Sequence, residues 1–296
     1  QFGGAVIGGD GGAVKLDASV GALVDVAGNQ NVNLEGLVCL EVADEKIPVL
    51  KSGVVNYGTG VLVLTFDETI DVSPESLVNF NKIFLTDAIS GYGSAGDLNA
   101  LPAPPHFVLT GSTLQNVEDA TTITMKFTEL QRVTAILLSS TKGNNGDDTA
   151  MHARLEAAFV EDTGTNANGA QTPIELTEIE DGITPVVQSA TLDYNDGTLV
   201  ILSSETIDST PTTRVDPSKI FISDAAGDFR ISLRGATVLQ AADGMDKIVV
   251  TIRLTEAQRI GAIELSSFPG DTTGQGTAVV VDLRADALVD VATNGI

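Results

Sequence analysis

The stretch VLVLTFDETIDVSPESLVNFNKIFLTDA, residues 61–88, returns as TLVILSSETIDSTPTTRVDPSKIFISDA at 198–225. Each copy opens on a short apolar run rich in β-branched residues and closes on an alternating run, KIFLTD or KIFISD. Alternation of that kind suits a strand packed on one face. A turn signal precedes each copy, NYGTG at 56–60 and DYNDG at 193–197. Asn195-Asp196-Gly197 suits a tight hairpin, because Asn, Asp and Gly tolerate positive φ. The stretch therefore reads as strand, turn and strand, written twice.

The similarity extends outward on both sides. From Pro48 against Pro185 to Ala88 against Ala225 the copies align without a gap. Roughly eighteen of about forty-one positions are identical. Further on, FTELQRVTAILLSS (127–140) matches LTEAQRIGAIELSS (254–267), and ARLEAAFVEDTGTN (153–166) matches VDLRADALVDVATN (281–294). The opening KLDASVGALVDVAGN (15–29) matches that last block again. The first copy carries about ten extra residues near SGYGSAGDLNALPAPPH. The expected organisation is an N-terminal strand segment over 1–46, one repeat over 47–183 and a second over 184–296.

TITMKF, KIVVTIRL and AVVVDLRA add further strands. The spacing predicts an all-β fold of two tandem sandwiches, about seven to eight strands each. One short helix interrupts each copy. Thr128-x-x-Gln131 and Thr255-x-x-Gln258 read as capping boxes, each followed by about two turns of helix-compatible sequence. That helix is expected to cross one end of its sandwich.

In order, the strand ending FDETID or SSETID, the KIF[LI][TS]DA strand, the LTEAQR helix and the closing ALVDVAGN resemble the bacterial-Ig-like modules found in tandem in large archaeal and bacterial surface proteins, S-layer proteins among them. The resemblance covers nearly all of the chain. AAFVEDTGTN departs from the closing phrase. The resemblance implies Ig-like sandwiches and an extracellular structural or adhesive role, with no catalysis.

The composition sets bounds. With 296 residues and 43% hydrophobic content, the chain can bury two cores of ordinary size. Sixteen Lys and Arg stand against forty Asp and Glu, for a formal charge of −24. Such a surface repels nucleic acid and anionic lipid, favours cations and suits salty surroundings. There is no Trp and only 4% aromatic residues, which argues against stacking platforms for bases or sugars. No stretch approaches a membrane span. The chain opens on Gln1, so the expectation is a secreted protein with its signal peptide removed, or a piece of a longer chain.

Neither a phosphate loop nor a GxSxG elbow is present, and no N-x-S/T sequon occurs. His106 and His152 lie in unrelated contexts, so a His-based metal site is not expected. Glu68, Asp71 and Asp87 recur as Glu205, Asp208 and Asp224. Clustered carboxylates suit calcium, which takes six to eight hard oxygen ligands, although no EF-hand pattern is present. Calcium is the one cofactor this set suggests. A solvated acidic face is the plainer reading of the same residues.

A strand-like segment follows the closing phrase at VNLEGLVCLEV and again at AQTPIELTEIE, whereas VDVATNGI is followed by none. The second repeat is thus expected to lack an edge strand that residues 1–46 carry in surplus. An open edge recruits a strand. The candidate interface is Leu34, Leu37, Val38, Cys39, Leu40 and Val42. A strand of about ten residues burying five apolar side chains gains about 7–15 kcal/mol before entropy costs. The expected partner is an identical subunit, in a head-to-tail filament. The alternative is a fragment of a giant tandem-repeat adhesin or S-layer protein. Cys39, the single cysteine, reads as a small buried hydrophobe or as half of an intermolecular disulfide.

Overall fold

A computed structural model describes residues 12–87, 106–139, 150–224, 226–266 and 279–296. The first copy's insertion, residues 91–105, lies outside them. The described strands are β1 (Lys15–Ala18), β2 (Leu34–Val38), β3 (Leu50–Asn56), β4 (Val61–Asp71), β5 (Ile83–Thr86), β6 (His106–Val108), β7 (Thr113–Leu114) and β8 (Ala120–Lys126). Helix α1 (Glu129–Leu138) follows, then β9 (His152–Leu155), β10 (Glu161–Asp162), β11 (Ile174–Glu175) and β12 (Thr177–Ile179). The second copy contributes β13 (Val187–Asp193), β14 (Thr198–Ile207), β15 (Ile220–Asp224), β16 (Arg230–Ser232), β17 (Thr237–Leu239), β18 (Lys247–Arg253), α2 (Glu256–Leu265) and β19 (Val279–Leu283).

The fold is all-β, with Ig-like sandwiches in tandem and one short helix per copy. The chain forms two compact units, Gln1–Val54 with Leu62–Lys126 and His152–Leu176, and Val55–Val61 with Phe127–Met151 and Thr177–Ile296. Those units are drawn along different lines from the sequence repeats.

In the first copy the sheets run β12-β3-β4-β8-β7 and β11-β9-β5-β6. Leu62, Leu64 and Phe66 on β4 alternate inward, as do Ile123 and Met125 on β8. In the second copy they run β13-β14-β18-β17 and β16-β15-β19. Leu199, Ile201, Val250 and Ile252 from one sheet meet Ile220 and Ile222 from the other in a single core. Helix α2 lies against β15 and β16; a Cβ on Gly261 would stand 2.9 Å from Ile231. Both helices begin as the sequence predicts. Thr128 accepts from the Gln131 N–H while Gln131 accepts from the Thr128 N–H, and Thr255 and Gln258 do the same.

The closing phrase folds identically at all three places, including the divergent DTGTN. Asp25, Asp162 and Asp290 each accept the N–H of the Asn four residues on, at 2.8–2.9 Å. The same Asn side chain donates back to the other carboxylate oxygen. The fourth residue takes positive φ, as Gly28, Thr165 and Thr293. The Asp and Asn carry the loop, so the phrase tolerates change between them.

The copies differ at one edge. In the first copy β11 flanks β9, and β12 lies beside β3, with the Tyr57 N–H donating to Ile179 O at 3.0 Å. Among the described residues of the second copy, nothing takes those two places. The consequence shows in burial. Every residue of β9 is buried, whereas Val280 on β19 is 40% exposed. Gly53 on β3 is buried, whereas its counterpart Ala190 on β13 is exposed.

Candidate functional sites: acidic clusters and an open groove

Two acidic triads occupy equivalent positions. Asp44, Glu68 and Asp162 form one, and Asp181, Glu205 and Asp290 the other; in each, one oxygen per residue lies within 4.8 Å of the others. Asp44 and Asp181 are 137 positions apart, as are Glu68 and Glu205. The third member is the Asp of the closing phrase. The loop fixes its place, because Asn166 and Asn294 also donate to the carbonyls of Asp44 and Asp181, at 3.2 and 3.1 Å.

The second triad holds a guanidinium. Arg132 of α1 reaches Asp181 at 2.5 Å and Glu205 at 3.0 Å. It also forks onto Glu129 at 2.8 Å on both nitrogens and donates to Tyr57 O at 3.2 Å. Glu129 in turn accepts from the Thr206 N–H at 2.8 Å. A planar fork with five donors fits this many oxygens as a lysine could not. One buried cation thus faces four carboxylates.

That imbalance perturbs the carboxylates. Burial pushes Glu205 up to about 7; Arg132 opposes the shift, and Asp181, Asp290 and Glu129 add to it. Burial also raises Asp290, against the hydrogen bonds from Asn294, with Asp181 adding to the rise. Burial acts to raise Glu129 too, but the Arg132 fork and the Thr206 N–H leave it below its ordinary value. Because Glu205 is harder to ionise in the fold than in the open chain, the native state binds more protons between pH 4.5 and about 7. Stability present below pH 4.5 is lost as pH rises through about 7. We expect wild-type protein to lose on the order of 2 kcal/mol across that window, and Glu205→Gln to flatten the loss. Urea titrations at stepped pH check it; equal slopes in both proteins would contradict it.

The first triad is more open. Asp162 is buried, but Asp44 is exposed and Glu68 half-buried. Lys46, itself 58% exposed, lies 3.4 Å from Glu68 and 3.3 Å from Asp67.

Of the six residues singled out for calcium, only Glu68 and Glu205 fall in these triads. Asp71 caps the Ser73 N–H at 3.0 Å, Asp208 pairs with Arg214, and Asp224 accepts from the Asp228 N–H at 2.9 Å. Asp87 is half-buried just beyond β5. The second triad suits a guanidinium better than a calcium ion, since Arg132 already bridges two of its three carboxylates. Sequence reasoning passed over Asp44, Asp181, Asp162, Asp290 and Arg132. The signal was available, since the same 137-residue offset that aligns the two Glu residues aligns Asp44 with Asp181. The two histidines share a row, since His106 on β6 and His152 on β9 both register against Thr86 on the strand between them. Two strand spacings, about 10 Å, separate them.

The open edge of the second copy is a groove of about 310 Å³ between β13 and β19, lined by Val187, Ala190, Leu192, Ile222, Val279 and Val281 among others. In the first copy Leu176 fills the matching place and is 4% exposed; its Cδ2 lies 2.5 Å from where a Cβ on Gly53 would stand. The candidate interface lies elsewhere, on β2 and the residues after it. Leu34, Leu37, Val38, Leu40 and Val42 are exposed, Leu40 at 96%, and Cys39 is half-buried. β2 pairs with β1, Lys15 against Val38 and Leu16 against Leu37. That pairing matches β9 with β11, His152 against Glu175 and Ala153 against Ile174.

No protein-family model and no curated protein matches the chain. Among solved structures it is similar to marsupial T cell receptor chains. One is 12% identical over 77% of this chain and 60% of the receptor chain, with a TM-score of 0.18. Another is 12% identical over 78% and 61%, also with a TM-score of 0.18. This chain thus spans about three-fifths of the receptor chains it matches. No helix among the described residues is long and apolar enough to cross a membrane.

Proposed function

We propose that the chain is an extracellular structural subunit whose sandwiches join head to tail by β-strand complementation into a surface filament or lattice. The groove and its filler carry this reading. Shifted by 137 positions, Leu37 to Val42 stand where Ile174 to Ile179 stand in the first copy. Cys39 then takes the place of Leu176, and Ala190 the place of Gly53. The size change is in the compensating direction: a large residue over glycine in one copy becomes a small residue over alanine in the other. Close-packed cores require such compensation.

The donor is poised to move. β1 and β2 are a two-stranded ribbon with mostly exposed side chains, and an isolated ribbon of that length is marginal in water. In the joint, β2 exchanges β1 for a neighbour's β19 and buries its apolar residues. The repulsion expected from −24 charges per chain is screened in saline surroundings.

A disulfide trap tests the register. Cys39 is the only native cysteine, so Ala190→Cys places one thiol on each side of the joint, and the unsubstituted chain and Cys39→Ala with Ala190→Cys serve as controls for like-to-like pairing. Under mild oxidation the variant is expected to give a ladder of disulfide-linked multimers on non-reducing gels. Persistence of monomer at every concentration would overturn the reading. A second reading has its own support, because residues 14–44 repeat the contacts of 151–181, down to Val14 N–H on Glu41 where Met151 N–H meets Glu178. On that reading the chain is a stretch of a longer tandem-repeat adhesin or S-layer stalk, and the trapped protein stays monomeric.

A further inference from the structure

Helix α2 carries a second copy of the arginine fork. Arg259 donates to Glu256 at 2.8 and 2.7 Å and to Tyr194 O at 2.8 Å. Arg132 makes the same three contacts, to Glu129 and Tyr57 O. A Cβ on Gly60 would stand 3.3 Å from Arg132 Cδ, and one on Gly197 would stand 3.3 Å from Arg259 Cδ. The two forks are therefore held alike. They differ in what they face. Arg132 adds Asp181 and Glu205 and is 6% exposed, whereas Arg259 is 26% exposed and Glu256 66%. One fork has its triad. Among the described residues, the cation beside the other triad, Asp44–Glu68–Asp162, is the exposed Lys46.

We infer that Arg259 and Glu256 of one copy clamp the Asp44–Glu68–Asp162 triad of the next, and that this ionic lock sets the register of the head-to-tail joint. The inference rests on the strand-complementation reading and adds a residue-by-residue joint to it. The register follows from the first copy. There Leu176 fills the groove, Ile179 O accepts from the Tyr57 N–H at 3.0 Å, and Asp181 meets Arg132. The same offsets place Cys39 in the groove, Val42 O on the Tyr194 N–H, and Asp44 on Arg259. Glu256 then meets the N–H of Thr69, as Glu129 meets that of Thr206. Lys46 stands at the position of Ile183, and its exposed ammonium is displaced toward Asp67 as the guanidinium arrives. The acidic cluster alone would not assign a partner. A guanidinium already seated in its duplicate, and a second identical fork without a triad, do.

Crosslinking of full-length Ala190→Cys gives the readout. Adding Arg259→Ala, or Glu68→Gln with Asp162→Asn, is expected to slow ladder formation at least about tenfold. Combining both sets is expected to slow it little further, because each removes the same contact. High salt is expected to narrow the difference in rate between the parent and the triple variant, because screening weakens the lock while it relieves the general repulsion of both. Arg259 is solvent-accessible, so its removal leaves the subunit folded, and circular dichroism of the monomer verifies this. A ladder that forms at the parental rate without Arg259 overturns the lock and leaves strand exchange standing. So does a ladder that needs calcium and ignores Arg259. Absence of any ladder in Ala190→Cys itself counts against strand exchange instead.

Discussion

Replacing Arg132 with alanine is expected to cost about 3–5 kcal/mol of unfolding free energy, since removing one partner strands buried opposite charge. Among the described residues, the guanidinium is the one cation paired with the buried cluster of Asp181, Glu205 and Asp290, and it also neutralises Glu129. Without it, four carboxylates face one another with no compensating charge. Two of them are already pushed toward protonation with the arginine present. The loss is therefore largest above pH 7 and shrinks in acid, where the carboxylates take up protons. An internal control exists. Arg259→Ala removes the equivalent side chain from α2, which among the described residues bonds Glu256 and Tyr194. An exposed pair of that kind is worth about 0–1 kcal/mol. In differential scanning calorimetry at pH 8, Arg132→Ala is expected to melt about 10 °C lower and Arg259→Ala within about 3 °C of wild type. Equal shifts in the two variants would show that the buried cluster does not hold the fold.

Most of the architecture is legible in the residues. The 137-residue echo gives two copies, the alternation in KIFLTD and KIFISD gives a strand packed on one face, and Thr128 and Thr255 mark the helix starts. These are local signals, set by period and capping. The kinship of the segments after the first two closing phrases is legible too, because the echo sets them side by side. The site was harder to read. Glu68 and Glu205 stand out by recurrence, but so do Asp71 and Asp208, which serve a turn and a local ion pair instead. Recurrence marks a shared structural place and does not distinguish a cap from a cluster. Asp162 and Asp290 lie between 85 and 118 residues further along the chain than their partners, and only the folded sheets bring them together. Nothing local in TELQR marks Arg132 for burial. Its burial depends on contacts with Tyr57, Asp181 and Glu205, all more than forty residues away. Cys39 looks like a core residue in GLVCLEV, and its half-buried setting follows from β2 lying in a ribbon rather than between two sheets.

The second large effect concerns assembly. Ala190 is exposed on β13, so Ala190→Asp leaves the isolated subunit undisturbed. In a joint, the same carboxylate is buried against Cys39 with no partner, at a cost of several kcal/mol. Self-association is then expected to weaken at least about a thousandfold. The most direct measurement is sedimentation velocity of wild-type chain and Ala190→Asp over a range of concentrations in moderate salt. The account predicts that the wild type forms a growing series of multiples of its 30.6 kDa mass while Ala190→Asp stays at one. A wild-type chain that sediments as a single 30.6 kDa species throughout, or an Ala190→Asp variant that assembles just as well, would contradict it.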